Sequence, residues 1–562
     1  MSRRLLVPTL AMILALAAAP PPRALAASTG TIPSAADSAL IAAWNGIQEA
    51  AIAEHVRVLA SDEFEGRAPG TPGEERTLEY VQRHFRSAGL IPWQASGYEQ
   101  EVPLVQATLD GAPRFTMRLR GTAFTPKLRE QYVPRLARPV ERIDLRASKL
   151  VFAGHGVVAP EYGWDDYAGG DVRGATVILL QGDPGTGSGD STIFAGSVGT
   201  RHAVPSAKAE EAAKRGARAA IVVHTEKTAG FPWTVLSGGG LGQGQYFLDP
   251  ETSKPELEAV LIVSEETARV LFARAGLELD REIRAASTRG FRAKPLDGTA
   301  DVSLQARVQR VRSHNLIGLV PGTESPGEAL VLMAHWDHMG RDTTRQGDQI
   351  FNGAVDNATG VAMLMEIARA FHAMPRAPRR TVAFVATTAE ERGLLGSEYL
   401  ARHPIRPLRD TVGAVAIDAH FPYGAWERMS VTGFGNSELE DALASAAARL
   451  GRKLQDDGAP QLGAFYRADN YPWVKRGVPG FLAVGNPDNA RPETDPDVAM
   501  LYAYGRTKYH QVTDEYDPAS WKMEGIEGDA RTLFEFAWRV ADDRRVPNWR
   551  WSSPFRALGD SR

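Results

Sequence analysis

The chain has 562 residues, 43% of them apolar and 23% charged, and 64 Lys plus Arg against 68 Asp plus Glu leave a net charge of −4. It has no cysteine, which excludes disulfides, thiolate zinc sites, cysteine-ligated iron–sulfur clusters, a cysteine nucleophile and a lipidated N-terminal cysteine. The balanced charge argues against a nucleic-acid scaffold, and at ~150 residues per domain the length allows two to four domains.

Met1-Ser2-Arg3-Arg4, an apolar run over residues 5–19 and the small residues of Ala24-Leu25-Ala26 have the form of a signal peptide, residues 1–26, cleaved before Ala27. The run is shorter than the ~20 residues a spanning helix needs and closes on Pro20-Pro21-Pro22; no later run reaches that length. The expectation is an exported protein, periplasmic or extracellular, with no membrane span in its mature chain. Residues 47–59 have helical apolar spacing, a polar segment covers 61–71, and Thr77, Leu78, Tyr80, Val81 and Phe85 predict an amphipathic helix ending at Gly89. Residues 27–139 are assigned to the N-terminal part of the main domain.

Strands over 150–158, 175–181 and 219–223 with one helix over 207–215 predict a smaller α/β domain inserted at 140–295. Its glycine-rich loops, 182–190 and 236–245, lack the Gly-Lys-Ser/Thr of a phosphate cradle and read as surface loops. From Asn315 onward strands and helices alternate. Strands at 329–334, 381–387, 412–417 and 480–484 and helices at 361–371, 438–450 and 526–540 predict a doubly wound, mostly parallel α/β sheet in a domain at 296–545, followed by a tail at 546–562.

The active site of such a sheet lies beyond the carboxyl ends of its strands. There the first strand runs into His335-Trp336-Asp337-His338, the second into Glu390-Glu391 and the third into Asp418, while Asp356 introduces a helix. Near the end, His510 is followed four residues on by Asp514. Carboxylates converging on one edge repel one another unless a cation holds them, and imidazoles with carboxylates, without sulfur, suit zinc. Two metals sharing one carboxylate need about five ligands, and five candidates are present. Asn357-Ala358-Thr359 matches a glycosylation acceptor, but a glycan there would block Asp356, so the match reads as accidental.

These segments, together with Gly353-Ala354-Val355-Asp356-Asn357-Ala358-Thr359-Gly360, Ala389-Glu390-Glu391-Arg392-Gly393, Arg467-Ala468-Asp469-Asn470 and Tyr509-His510, carry a resemblance. The chain resembles the zinc-dependent exopeptidases (metallopeptidase family twenty-eight) that include bacterial leucyl aminopeptidases, glutamate carboxypeptidase, glutaminyl cyclase and the transferrin receptor. Within them it is similar to exported bacterial members with a protease-associated domain, here the insert. The resemblance implies a zinc exopeptidase fold of the phosphorylase/hydrolase-like type, a peptide substrate and two zinc ions per chain. It implies that Asp356 bridges the metals, with His335 and Asp418 on one and Glu391 and His510 on the other. Glu390 would be the general base, and Asp337 would accept a hydrogen bond from His335.

Relatives often carry histidine where Asn470 stands, which leaves Asp469 and Asn470 open between pocket lining and local structure. His338 and His420 receive no ligand role. The activity expected is aminopeptidase, by hydroxide from metal-activated water. The alternatives are a carboxypeptidase or dipeptidase, for which Arg392 or Arg467 could hold the substrate carboxylate, and a catalytically silent binding protein, which would be expected to lose the base or ligands retained here.

Overall fold

The computed structural model describes residues 35–562 except 189, 191, 197, 239–242, 250–255 and 487–495. The expected signal peptide lies outside the described residues, as do parts of both glycine-rich loops. Among the described residues no helix is long and apolar enough to cross a membrane.

The main sheet is mixed and mostly parallel at its centre. The Ser325–His335 strand pairs in parallel with Arg380–Thr387 on one side and with Thr411–Ala416 on the other, and Gly480–Asn486 continues parallel beyond it. Antiparallel strands flank this core: the C-terminal part of Lys294–Val320 lies against Arg380–Thr387, and Arg428–Val431 against Gly480–Asn486. Every residue of Arg380–Thr387 is buried, as is Ser325–His335 from Ala329 on. Such strands sit under helices on both faces, which is why they read as unbroken apolar runs. Thr359–His372, Glu524–Asp542 and Glu49–Leu59 supply one covering layer. Leu400 and Ala401 of the Leu395–Arg402 helix, with Trp473, cover the other face at Val331, Met333 and Val385.

The chain leaves Ser325–His335 first toward Arg380–Thr387 and then crosses to Thr411–Ala416 on the opposite side. The connection therefore changes direction at the carboxyl end of Ser325–His335, where open α/β sheets place their ligands.

The second sheet has four parallel strands in the order Arg142–Phe152, Thr176–Leu180, Ala219–Val223, Ala259–Val263. Tyr132–Leu136 flanks the last antiparallel, and the N-terminal part of Lys294–Val320 flanks the first. Arg114–Leu119 joins beyond that. The sheet thus takes in residues on both sides of the 140–295 span. The reason is physical: Lys294–Val320 is a single 27-residue strand that pairs into both sheets, so no linker marks the passage. Alternation of exposed and buried positions, as over Arg142–Phe152, also hides strand residues that carry charge on one face. Helices Glu265–Arg274 and Leu279–Ala286 join Pro205–Lys214, where the sequence pattern predicts one helix only.

A buried ion pair ties the Glu524–Asp542 helix to the sheet. Asp529 meets Arg452 Nη2 at 2.6 Å and His420 Nδ1 at 2.7 Å, and accepts the Gly485 N–H at 2.9 Å. Burial alone would raise the Asp529 carboxyl, but Arg452 and His420 outweigh it and hold it at about 2. That lies below the ~3.9 of an unfolded aspartate, so the stabilisation is fully present above about pH 4 and is lost as pH falls toward 2. We predict that Asp529→Asn lowers the melting temperature at pH 7, at a cost of about 3 kcal/mol for a broken buried pair. In thermal melts the gap from the unaltered protein closes as pH drops from 4 to 2.

Candidate metal centre

All seven expected site residues converge at the carboxyl edge of the main sheet. His335 is the last residue of its strand, and Asp337 follows in the loop. Asp356 lies in the turn Ala354–Ala358 before the Thr359–His372 helix. Glu390 and Glu391 open a short turn, Glu390–Arg392, after Arg380–Thr387. Asp418 follows Thr411–Ala416, and His510 follows the Pro496–Thr507 helix.

Asp356 joins two groups of side chains. Its Oδ1 is 3.2 Å from His335 Nε2, which is also 3.2 Å from Asp418 Oδ1. Its Oδ2 is 3.3 Å from His510 Nε2, which is 3.0 Å from Glu391 Oε2. The consecutive glutamates separate because Ala389 takes a left-handed conformation, φ 54°, at the start of their turn. Glu391 then faces His510, while Glu390 Oε2 lies 4.0 Å from His335 Nε2.

Two details differ from the sequence reading. His335 Nδ1 lies 3.0 Å from the backbone carbonyl oxygen of Asp337, whereas the Asp337 carboxylate is 3.8 Å away. A carbonyl only accepts, so Nδ1 carries a proton and Nε2 faces the carboxylates. The Asp337 carboxylate instead accepts the Glu390 N–H at 3.0 Å and so positions the glutamate turn. His338, given no role from sequence, is fully buried with Nδ1 2.6 Å from Glu391 Oε1. It stands three residues past the end of the Ser325–His335 strand, where the His-x-Asp-His run offers a second imidazole, and only the fold of the loop turns it inward. Gly353, at φ 57°, accommodates this imidazole, because a Cβ there would collide with His338 and with the Asp356 carbonyl.

The donor set suits divalent cations. Asp337, Asp356, Glu390, Glu391 and Asp418 meet imidazoles but form no ion pair with Lys or Arg among the described residues. Burial, with Asp418 and Glu391 adding to it, pushes the Glu390 carboxyl well up, and burial lifts Asp337 to about 7. Burial would also raise Glu391, but His510 and His338 hold it well down. Glu391 Oε1 and both His338 nitrogens are buried outside hydrogen-bond geometry among the described residues, despite the short approach between them. His335, Asp356 and Asp418 form one group able to hold an ion, and His338, Asp356 and Glu391 another. Oxygen and nitrogen donors without sulfur, at this spacing, fit zinc.

The other expected positions have structural partners. Asp469 is buried and accepts from Thr387 Oγ1, and buried Asn470 donates to the Phe465 carbonyl. His420 pairs with Asp529, away from the two groups. Asn357 is buried too, donating to the Ile417 carbonyl and accepting from the Gly360 and Ala419 N–H groups, so it links the Asp356 turn to the Asp418 loop. Asp514 accepts the N–H groups of Val355 and Asp356, both at 3.1 Å.

Arg67, in the polar segment before the first amphipathic helix, is 1% exposed and donates to the carbonyls of Leu59, Trp336, Asn352 and Gly353 at 2.6–2.9 Å. It therefore ties the His335 loop to the Asp356 loop. Burial lowers its guanidinium to about 10, an effect that Asp337, Asp514, Asp356 and Glu391 oppose. A charged hydrogen bond contributes ~1.5–3 kcal/mol, and a lysine ammonium cannot reproduce the planar fork. Arg67→Lys is expected to lose at least ~2 kcal/mol in denaturant unfolding and to release zinc to a competing chelator more readily.

Residues 315–530 match the sequence profile of Peptidase family M28. A "Probable zinc metalloprotease" of Pyricularia oryzae is 32% identical over 135 residues, 23% of this chain and 26% of that protein. "Aminopeptidase NAALADL1" of Mus musculus is 28% identical over 129 residues, 22% of this chain and 16% of that protein. The chain thus spans about a quarter or less of the length of these curated relatives. Among solved structures, "Aminopeptidase from Aneurinibacillus sp. strain AM-1" superposes over 90% of this chain and 96% of its own, with a TM-score of 0.55 and 18% identity, a likeness of fold. Family profile, fold and metal-binding geometry agree: residues 315–530 are a peptidase family M28 domain.

Proposed function

We propose that this protein is an exported two-zinc metallopeptidase that removes residues from the N-termini of peptides. The observation that carries the reading is the Asp356 carboxylate, whose two oxygens face His335 and His510 at 3.2 and 3.3 Å. His335 and Asp418 would hold one ion with Asp356, and Glu391 and His510 the other. His338, within reach of Glu391 Oε1, would orient that carboxylate. Zinc bound there supplies Lewis acidity, polarising the scissile carbonyl and making water acidic enough to attack near neutral pH.

The chain's own groups do the rest. Glu390 takes the proton of the attacking water on its carboxylate and returns it to the nitrogen of the leaving amine. Burial makes that carboxyl a good proton holder, and the cations would draw it down toward the working range. Asp337 keeps Glu390 in place through the Glu390 N–H. A substrate ammonium near Asp418 and Glu390 would favour cleavage of the first residue. Retention of base and ligands supports an enzyme over a silent binding protein. The N-terminal 26 residues would direct export, and the inserted sheet would be a protease-associated domain beside the substrate entrance.

Mass spectrometry of peptides with free or acetylated N-termini, with and without chelator, tests this reading. Chelator-sensitive loss of single residues from free N-termini alone is expected; trimming from the C-terminus or no cleavage by zinc-loaded protein would sink it. Glu390→Gln is expected to keep two zinc ions by elemental analysis while losing ~10²–10⁴-fold in turnover. His510→Ala is expected to fall to one zinc and His338→Ala to keep two. Removing zinc should lower the melting temperature, since uncompensated carboxylates repel and the ligand binds only the folded state.

A further inference from the structure

On the Glu391–His510 side of Asp356 lies a cavity of about 350 Å³, walled on one side by the inserted region and on the other by the peptidase domain. Three arginines line it: Arg135 on Tyr132–Leu136, the antiparallel strand flanking the second sheet, Arg392 after the paired glutamates, and Arg467. Arg392 lies over the Tyr246 ring at 5.7 Å and Arg467 over the Phe231 ring at 5.8 Å, so aromatic faces hold both guanidinium groups at the wall. Arg392 Nη2 donates to the Met339 carbonyl, but its Nε is buried without a partner among the described residues. None of the three forms an ion pair among the described residues. The one acid among the described lining residues is Glu391, whose oxygens face His338 and His510.

Guanidinium groups gathered in a partly dehydrated cavity without a counter-ion repel one another. Arg135 shows the strain of this: burial lowers it to about 10, and Arg392 pushes it in the same direction. An anion that enters relieves both terms at once, and the arginine fork matches a carboxylate in geometry. Resting on the peptidase reading above, we propose that this cavity binds a carboxylate carried by the substrate. The carboxylate is either the C-terminus of a dipeptide or an acidic side chain next to the scissile bond. Arg135 and Arg467 are then specificity residues, and the second sheet contributes directly to substrate choice. A neutral group in the same place leaves buried charge unpaired, which is how polar sites reject analogues lacking the recognised group.

The test uses zinc-loaded full chain and four substrates: Ala-Ala, Ala-Ala-NH2, Ala-Glu-NH2 and Ala-Gln-NH2. A kcat/KM ratio of about tenfold or more is expected within a pair. Preference for Ala-Ala over its amide identifies the terminal carboxylate, and preference for Ala-Glu-NH2 over Ala-Gln-NH2 identifies the side chain. R135M and R467M should each shrink the ratio by raising KM for the carboxylate substrate, with R135K and R467K restoring part of it. Arg467 is exposed, so R467M reads out even if R135M fails to fold. Equal kcat/KM within both pairs, or a preference that persists in both Met variants, overturns the carboxylate pocket while leaving the peptidase intact. Absence of cleavage of all four and of longer peptides overturns the peptidase reading and the pocket with it.

Discussion

Each oxygen of the Asp356 carboxylate faces a different imidazole, and most of the surrounding architecture keeps it so. One carboxylate can serve two cations only if its backbone cannot rotate away, and here the backbone is held from three directions. Asp514 accepts the consecutive N–H groups of Val355 and Asp356. Asn357 joins the turn to the loop that carries Asp418. Arg67 clamps the carbonyls of Asn352 and Gly353 to that of Trp336. The converging carboxylates and imidazoles can thus be brought close despite the repulsion among the carboxylates, because the frame is anchored through backbone N–H and C=O groups.

The same separation of tasks recurs throughout the domain. Positive charge near the site is spent on carbonyls, as with Arg67, or stands in the neighbouring cavity, as with Arg135, Arg392 and Arg467, and among the described residues no Lys or Arg forms an ion pair with the converging carboxylates. Far from the site, the Asp529 carboxylate is fully paired with Arg452 and His420 and anchors the longest described helix. Asp529, paired with arginine, holds the fold together, while the acids that meet only imidazoles among the described residues form a donor set suited to a cation.

Much of this was legible before folding. The buried strands show as short apolar runs, and three of the four predicted in the main domain lead to an acid or a histidine, so the functional edge could be located from the rule for open α/β sheets. Less legible were residues whose role is to hold other residues. Asn357 looked like a glycosylation acceptor, and its side chain is a buried tie between loops. Arg67 stood in a polar stretch with nothing to distinguish a surface arginine from one that is 1% exposed. His338 stands three residues past His335, an expected ligand, but local sequence does not say whether a loop turns its imidazole toward Glu391 or away. The long Lys294–Val320 strand was missed because it changes partners midway, and its charged, exposed positions break the apolar pattern.

The sequence by itself determined the chemistry available: no sulfur, a set of carboxylates and imidazoles at strand exits, and a parallel sheet to present them. Those follow from composition and from periodicity, which are local properties of the chain. Only the tertiary structure decided which atoms meet. The meeting of Arg135 with Arg392 and Arg467 brings together residues from distant parts of the chain, while the splitting of Glu390 from Glu391 and the capture of His335 by the carbonyl two residues on, and not by a carboxylate, depend on how the fold bends each loop. Such contacts are set by packing over hundreds of residues, and no local pattern encodes them.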